Sequence, residues 1–128
     1  MTHADVQAWL DRYLAAWRSY DRSQIEALFA EDATYSYGPF RQPLAGRAAI
    51  ADSWLESRDE AGSWAADYRP IAVDGTVAVV HGRTRYFEAD GTTVRDEYDN
   101  IFEIHFNGEG VATQFNEWYI QKPAPKAG

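Results

Sequence analysis

Residues 94–121 read VRDEYDNIFEIHF-NGEG-VATQFNEWYIQ, two long runs separated by Asn107-Gly108-Glu109-Gly110. Each run alternates aromatic or branched residues with polar ones, and a cluster of turn formers divides them. That pattern predicts an antiparallel hairpin of Val94–Phe106 and Val111–Gln121. One strand further back lies Thr76–Glu88, joined through the turn Ala89-Asp90-Gly91-Thr92. Ala65–Val73 precedes it across Asp74-Gly75, a two-residue hairpin signal. Four strands in succession with short turns make an antiparallel meander.

The first half has a different period. Val6, Trp9, Leu10, Tyr13, Leu14, Trp17 and Tyr20 follow the three-and-four spacing of one buried helix stripe. Asp21 reads as the N-cap of a short second helix that carries Ile25, Leu28 and Phe29. Ala33–Tyr37 alternates as a strand, stopped by Gly38-Pro39, and 47–58 suggests a third helix with Ile50 and Trp54 facing inward. Helices followed by a meander give an α+β fold. Nothing repeats and no linker interrupts the pattern, so residues 1–122 form one domain, with 123–128 as a frayed tail.

The chain has 128 residues, enough to bury a core without staples. Twenty acidic against twelve basic side chains leave a net charge of −8, which disfavours nucleic acid and anionic membrane surfaces as partners. There is no cysteine, so disulfides and thiolate metal sites are excluded. The start lacks a signal-peptide pattern and no apolar run reaches the ~20 residues of a membrane span, so a cytoplasmic protein is expected. Phosphate-binding and dinucleotide glycine motifs are missing, as is a serine elbow, and the sequence implies neither a cofactor nor a metal.

Two segments are diagnostic together: Leu28-Phe29-Ala30-Glu31-Asp32-Ala33-Thr34-Tyr35 and Pro43-Leu44-Ala45-Gly46-Arg47-Ala48-Ala49-Ile50. With Phe106–Gly110 and Phe115–Tyr119, they resemble the SnoaL-like branch of the NTF2-like superfamily over about residues 5–121. The resemblance implies a cone-like curved sheet, antiparallel or mixed, with three N-terminal helices enclosing a pocket. It also implies a homodimer through the outer sheet face. Relatives in that superfamily include ketosteroid isomerase, scytalone dehydratase, limonene-epoxide hydrolase and polyketide cyclases, so fold alone leaves the activity open. Tyr13, eight residues before Asp21, matches the tyrosine that donates to an oxyanion in ketosteroid isomerases. Tyr37 and Phe102 fall near that family's two acids, and these departures speak against its usual chemistry. Glu117 is a near counterpart of the last-strand aspartate of limonene-epoxide hydrolase, whose second aspartate has no clean equivalent.

Strand parity adds a reading of its own. If the two turns set the registers, Val79, Phe102 and Phe115 form an apolar row, followed by His81, Asn100 and Glu117. Arg83, Tyr98 and Tyr119 come next, then Arg85, Asp96 and Gln121 at the rim. This face grades from apolar to polar, as a ligand cavity requires. On it Glu117 is expected to have a raised pKa and to act as a general base, with His81 as partner acid. Asn100 and Tyr13 would stabilise an oxyanion, and Arg83 would set charge at the mouth. Trp17, Phe29, Tyr37 and Trp54 complete the expected substrate contacts from the helical half. Each residue has a structural alternative: a satisfied histidine, an ion pair, a buried amide, or packing.

Two functions are compatible with this reading. One is a cofactor-independent enzyme moving protons on a small apolar oxygenated molecule such as a terpenoid, steroid or polyketide, by isomerisation, dehydration, cyclisation or epoxide opening. The other is a non-catalytic module that binds a small hydrophobic ligand or dimerises.

Overall fold

The computed structural model describes residues 1–124. Helix α1 (His3–Ser19) buries the expected stripe, with Val6, Trp9, Leu10, Tyr13 and Leu14 inside. Thr2 and Asp5 cap it reciprocally, each side chain accepting from the other's backbone N–H. The helix stops at Tyr20, whose backbone turns left-handed (φ 50°). Asp21 then caps α2 (Arg22–Glu26) by accepting from the Gln24 N–H. Helix α3 (Arg47–Glu56) buries Ile50 and Trp54. No described helix is long and apolar enough to cross a membrane.

The described residues form six strands, the first two lying before α3 in the chain: β1 (Phe29–Ser36), β2 (Leu44–Ala45), β3 (Trp64–Asp74), β4 (Val77–Phe87), β5 (Val94–Phe106) and β6 (Ala112–Gln121). They form one mixed, curved, unclosed sheet in the order β2-β1-β6-β5-β4-β3. Only β1 and β6 run parallel. Strand β1 begins at Phe29, earlier than the Ala33 expected, because Phe29 already pairs with Ala112 before an irregularity. Helix α1 packs on β3 and α3 on β1, so the helices cover one face of the sheet. Trp9, Phe29, Phe102, Phe115, Ile50 and Ile104 fill the space between. Residues 123 and 124 carry no regular structure, and the rest of the expected tail, 125–128, lies outside the described residues.

A single extra residue decides which side chains face the helices. Nearest the turn, Phe87 pairs with Val94, which is the register expected from the Asp90-Gly91 turn. The next pair is Tyr86 with Asp96, so Arg95 bulges out of β5. Every β4 residue beyond that point is displaced by one, and a displacement of one exchanges the faces of a strand. Val80, rather than Val79, therefore faces Phe102, and Gly82, rather than His81, faces Asn100.

The hairpin of β5 and β6 is displaced by two residues from expectation: Phe102 pairs with Glu117 and Asn100 with Tyr119. A displacement of two preserves the faces, so Asn100, Phe102, Phe115 and Glu117 remain on the helix side. Val79, His81, Arg83 and Arg85 lie on the outer side. There His81 Nε2 sits 2.6 Å from Asp99 Oδ1, and Arg83 bonds Asp99 and Glu97. Arg85 pairs with Glu97 and not with Asp96, which is held by Arg95. Trp118 and Ile120 share this outer face, 43% and 75% exposed.

Candidate functional site

Between the helices and the sheet lies an open cavity of about 670 Å³. All eight tyrosines of the chain line it, together with Trp17 and Trp54. The remaining lining residues are polar or charged, among them Arg41, Ser53, Asp59, Thr84, Asp96, Asn100 and Glu117. Among the described residues no aliphatic side chain and no phenylalanine lines the cavity. The wall is thus aromatic and hydrogen-bonding, where the sequence predicts an apolar floor.

That floor exists one layer deeper. Phe115 is stacked between Tyr13 and Tyr35, with ring centroids at 5.5 and 4.5 Å and planes within about 10°. Phe102 meets Tyr68 edge to face at 4.8 Å. Phe29 packs against Trp54 and Tyr35 in the same manner. The buried phenylalanines therefore hold the tyrosine and tryptophan rings in place from behind, and Phe29, Phe102 and Phe115 do not line the cavity as expected.

Glu117 projects into this cavity from β6. Asn100 Nδ2 donates to its Oε2 at 2.8 Å. The other oxygen, Oε1, has no protein partner among the described residues, and no buried side-chain oxygen is sealed without one, so Oε1 opens onto the cavity. Burial raises the carboxyl pKa to about 7, against the lowering effect of the Asn100 hydrogen bond and the Arg41 charge. Burial likewise raises the pKa values of Tyr13, Tyr35, Tyr37, Tyr68 and Tyr86, and the Glu117 charge adds to each. One carboxylate thus lies within electrostatic reach of five phenols.

A directed chain orients the amide. Asn100 Oδ1 accepts from Thr84 Oγ1 at 2.9 Å, which uses the only proton that Thr84 has. Tyr68 must then donate to Thr84 Oγ1, 2.5 Å away. Hydrogen bonds run from Tyr68 on β3 through Thr84 on β4 and Asn100 on β5 to Glu117 on β6. All three upstream residues are buried, so nothing competes for these partners.

Other hydroxyls are paired locally. Tyr13 and Tyr35 hydroxyls lie 2.9 Å apart, and Tyr37 bonds Ser53 at 3.0 Å. Asp59 accepts from Trp17 Nε1 at 3.0 Å and from the Tyr20 hydroxyl at 3.4 Å, while its N–H donates back to that hydroxyl. Trp17 also stacks on Trp64 at 3.5 Å. Among the described residues no three His, Asp or Glu side chains converge as a metal site needs.

The structure thus brings together Glu117, Asn100, Tyr13, Trp17, Tyr37, Trp54, Tyr98 and Tyr119 around one cavity. It separates from them His81, Arg83 and Val79, which the Arg95 bulge places on the opposite face. The pairing of His81 with Glu117 as acid and base is therefore ruled out by geometry. Residues not singled out from the sequence include Tyr35, Tyr68, Thr84, Tyr86, Asp59 and Arg41. Thr84 and Tyr86 have the parity of Gly82, so a bulge between Phe87 and Asp96 was the signal needed to find them.

The fold and this geometry can be set beside known proteins. Residues 10–113 match the SnoaL-like domain model. The chain belongs to the SnoaL-like domain family. Among solved structures, a candidate ketosteroid isomerase from Kribbella flavida is similar to this SnoaL-like chain at TM-score 0.71 and 18% identity, over 98% of this chain and 85% of that one. A ketosteroid isomerase-like protein from Erwinia carotovora atroseptica gives 0.66 and 18%, over 94% and 97%. An NTF2-like protein of unknown function from Cytophaga hutchinsonii gives 0.68 and 15%, over 94% and 100%. Identities this low carry the fold alone. No curated protein matches the SnoaL-like chain.

Proposed function

We propose that this SnoaL-like domain is a cofactor-independent enzyme in which Glu117 moves a proton on a small oxygenated ring compound. The observation that carries the reading is one carboxylate with a pKa raised to about 7, held at Oε2 by Asn100 and open to the cavity at Oε1. A general base is most effective when its pKa lies near the working pH. Of the two hydroxyl protons of Tyr13 and Tyr35, one is used between them and the other is available to a substrate oxygen. Their raised pKa values make these phenols hydrogen-bond donors that keep their protons, as oxyanion stabilisation requires.

Among the described lining residues there is no histidine, Asp59 is engaged by Trp17 and Tyr20, and Asp96 by Arg95, so Glu117 both takes the proton and returns it. That favours isomerisation or cyclisation over dehydration, in which a departing hydroxyl needs a separate acid. The lack of a second unengaged acid among the described lining residues also supports another reading, a binding module without turnover. Exchange of the α protons of 2-tetralone in D2O, followed by proton NMR, separates the two. The enzyme reading expects exchange that rises to a plateau above about pH 7 and falls at least about a hundredfold in Glu117→Gln. Equal exchange by the variant would remove Glu117 as the base. The proposal includes a homodimer through the outer sheet face, supported by the exposed Trp118 and Ile120.

A further inference from the structure

Five of the eight cavity tyrosines have their hydroxyls tied: Tyr13 to Tyr35, Tyr37 to Ser53, Tyr68 to Thr84 and Tyr20 to Asp59. Tyr86, Tyr98 and Tyr119 have no hydroxyl partner among the described residues. These three stand side by side on β4, β5 and β6, toward the open end of the cavity, where Tyr119 is 45% exposed. Tyr98 meets Tyr86 at 5.9 Å with planes at 89°, and Tyr119 at 5.6 Å and 80°. Successive rings thus turn through nearly a right angle.

Carboxylates share the cavity with these rings. Asp59, Asp96 and Glu117 all line the cavity. The charges of Asp59 and Glu117 reach Tyr86, and that of Asp96 reaches Tyr98. Arg95 is matched by Asp96 at 2.8 Å, which leaves Arg41 as the one lining cation without an ion pair among the described residues. Neither Asp59 nor Glu117 belongs to an ion pair among the described residues.

We propose that the cavity takes a ligand bearing a substituted ammonium group, seated against Tyr86, Tyr98 and Tyr119, with its ring body directed inward toward Glu117. The face of an aromatic ring carries negative charge density and attracts a cation, most strongly where water is excluded. Perpendicular rings offer several contacts to one roughly spherical ammonium. A neutral hydrocarbon body would be served as well by aliphatic walls, and this cavity has none. An anionic ligand would meet Asp59 and Glu117, two carboxylates without an ion pair among the described residues, on a chain of net charge −8 whose field steers cations. The inference rests on the reading of this cavity as the ligand site and is independent of turnover.

Calorimetry with (4-hydroxyphenyl)trimethylammonium and 4-tert-butylphenol tests it, because the two share a shape and differ in charge. The cation is expected to bind at least about tenfold more tightly, as several ring contacts imply. Tyr98→Phe keeps the ring and should keep that preference. Tyr98→Leu should reduce it below about threefold, and Tyr119→Leu, at the exposed end, reports the same loss if the first variant does not fold. Equal or tighter binding of the neutral phenol, binding of neither, or a preference that survives both leucine variants would overturn the proposal. Loss of tetralone exchange in Glu117→Gln without any preference for the cation would leave the base standing and remove the ammonium. A cation preference with unchanged exchange would do the reverse.

Discussion

Gly82 lies directly opposite Tyr68, and its missing side chain is what allows the Tyr68 phenol to cross β4 and reach Thr84. A methyl group at Gly82 would overlap both the Asp67 carbonyl oxygen and the Tyr68 ring. Backbone atoms cannot yield as a flexible side chain does, so β3 would have to shift. Gly82→Ala is therefore expected to cost about 1–3 kcal/mol in urea denaturation, the usual range for overpacking. Gly108→Ala, where nothing lies within 4 Å, is the control and should stay within about 0.5 kcal/mol.

The chain from Tyr68 to Glu117 makes a second prediction. Asn100 lowers the Glu117 pKa by donating to the charged form. Thr84→Val keeps the shape of Thr84 but strands the Tyr68 hydroxyl and Asn100 Oδ1, at about 1–3 kcal/mol of stability. With its amide no longer held, Asn100 should support the carboxylate less, and the Glu117 pKa should rise further. Carbon NMR of the Glu117 carboxyl measures this directly, and Thr84→Ser should restore both the pKa and the stability. An unchanged titration in Thr84→Val would show that Asn100 is positioned by something else.

Most of the architecture is legible in the sequence because it is periodic. The α1 stripe, the Asp21 cap and the Val94–Phe106 strand follow from spacing and turn chemistry, and the structure has them within a residue or two. What spacing does not reveal is the Arg95 bulge. One inserted residue leaves the alternation of β4 and β5 each intact and changes only their relation, so His81 and Gly82 exchange faces. Glu117 and Asn100 escaped this because the β5–β6 error was of two residues. The tyrosine wall was also hidden: alternation marks Phe102 and Phe115 as inward but cannot show that Tyr68, Tyr13 and Tyr35 cover them.

His81 now belongs to the outer face, where it is a partly exposed partner of Asp99. Exposed pairs of this kind contribute roughly 0–1 kcal/mol. His81→Ala is expected to leave tetralone exchange within about twofold of the parent chain, a barrier change of about 0.4 kcal/mol, because the histidine lies outside the cavity lining. A fall comparable to that of Glu117→Gln would bring the histidine back into the mechanism.

The same face carries Trp118 and Ile120, beside the His81–Asp99–Arg83–Glu97–Arg85 charge ladder. Ile120→Lys places a charge in the proposed contact and should convert a dimer into a monomer in sedimentation velocity. A parent chain already monomeric at tens of micromolar would refute the dimer.

The raised pKa of Glu117 also sets the pH dependence of stability. Its folded value is about 7 against 4.5 for the free side chain. Below about pH 4.5 both states hold the proton and the group contributes no penalty. Between these values the unfolded chain releases its proton while the folded chain keeps it, so stability falls as pH rises. Above about pH 7 the loss is complete, at roughly 3 kcal/mol for a shift of this size. Glu117→Gln removes the titration without removing the side-chain volume. The variant should thus match the parent chain near pH 4.5 and exceed it by up to about 3 kcal/mol at pH 8. Taking the difference between the two proteins at each pH cancels the exposed carboxylates Asp5, Asp21 and Asp99, whose lowered values act in the opposite sense at lower pH. A difference that stays flat from pH 4.5 to 8 in urea denaturation would mean that Glu117 ionises normally, and the case for it as a poised base would fail with it.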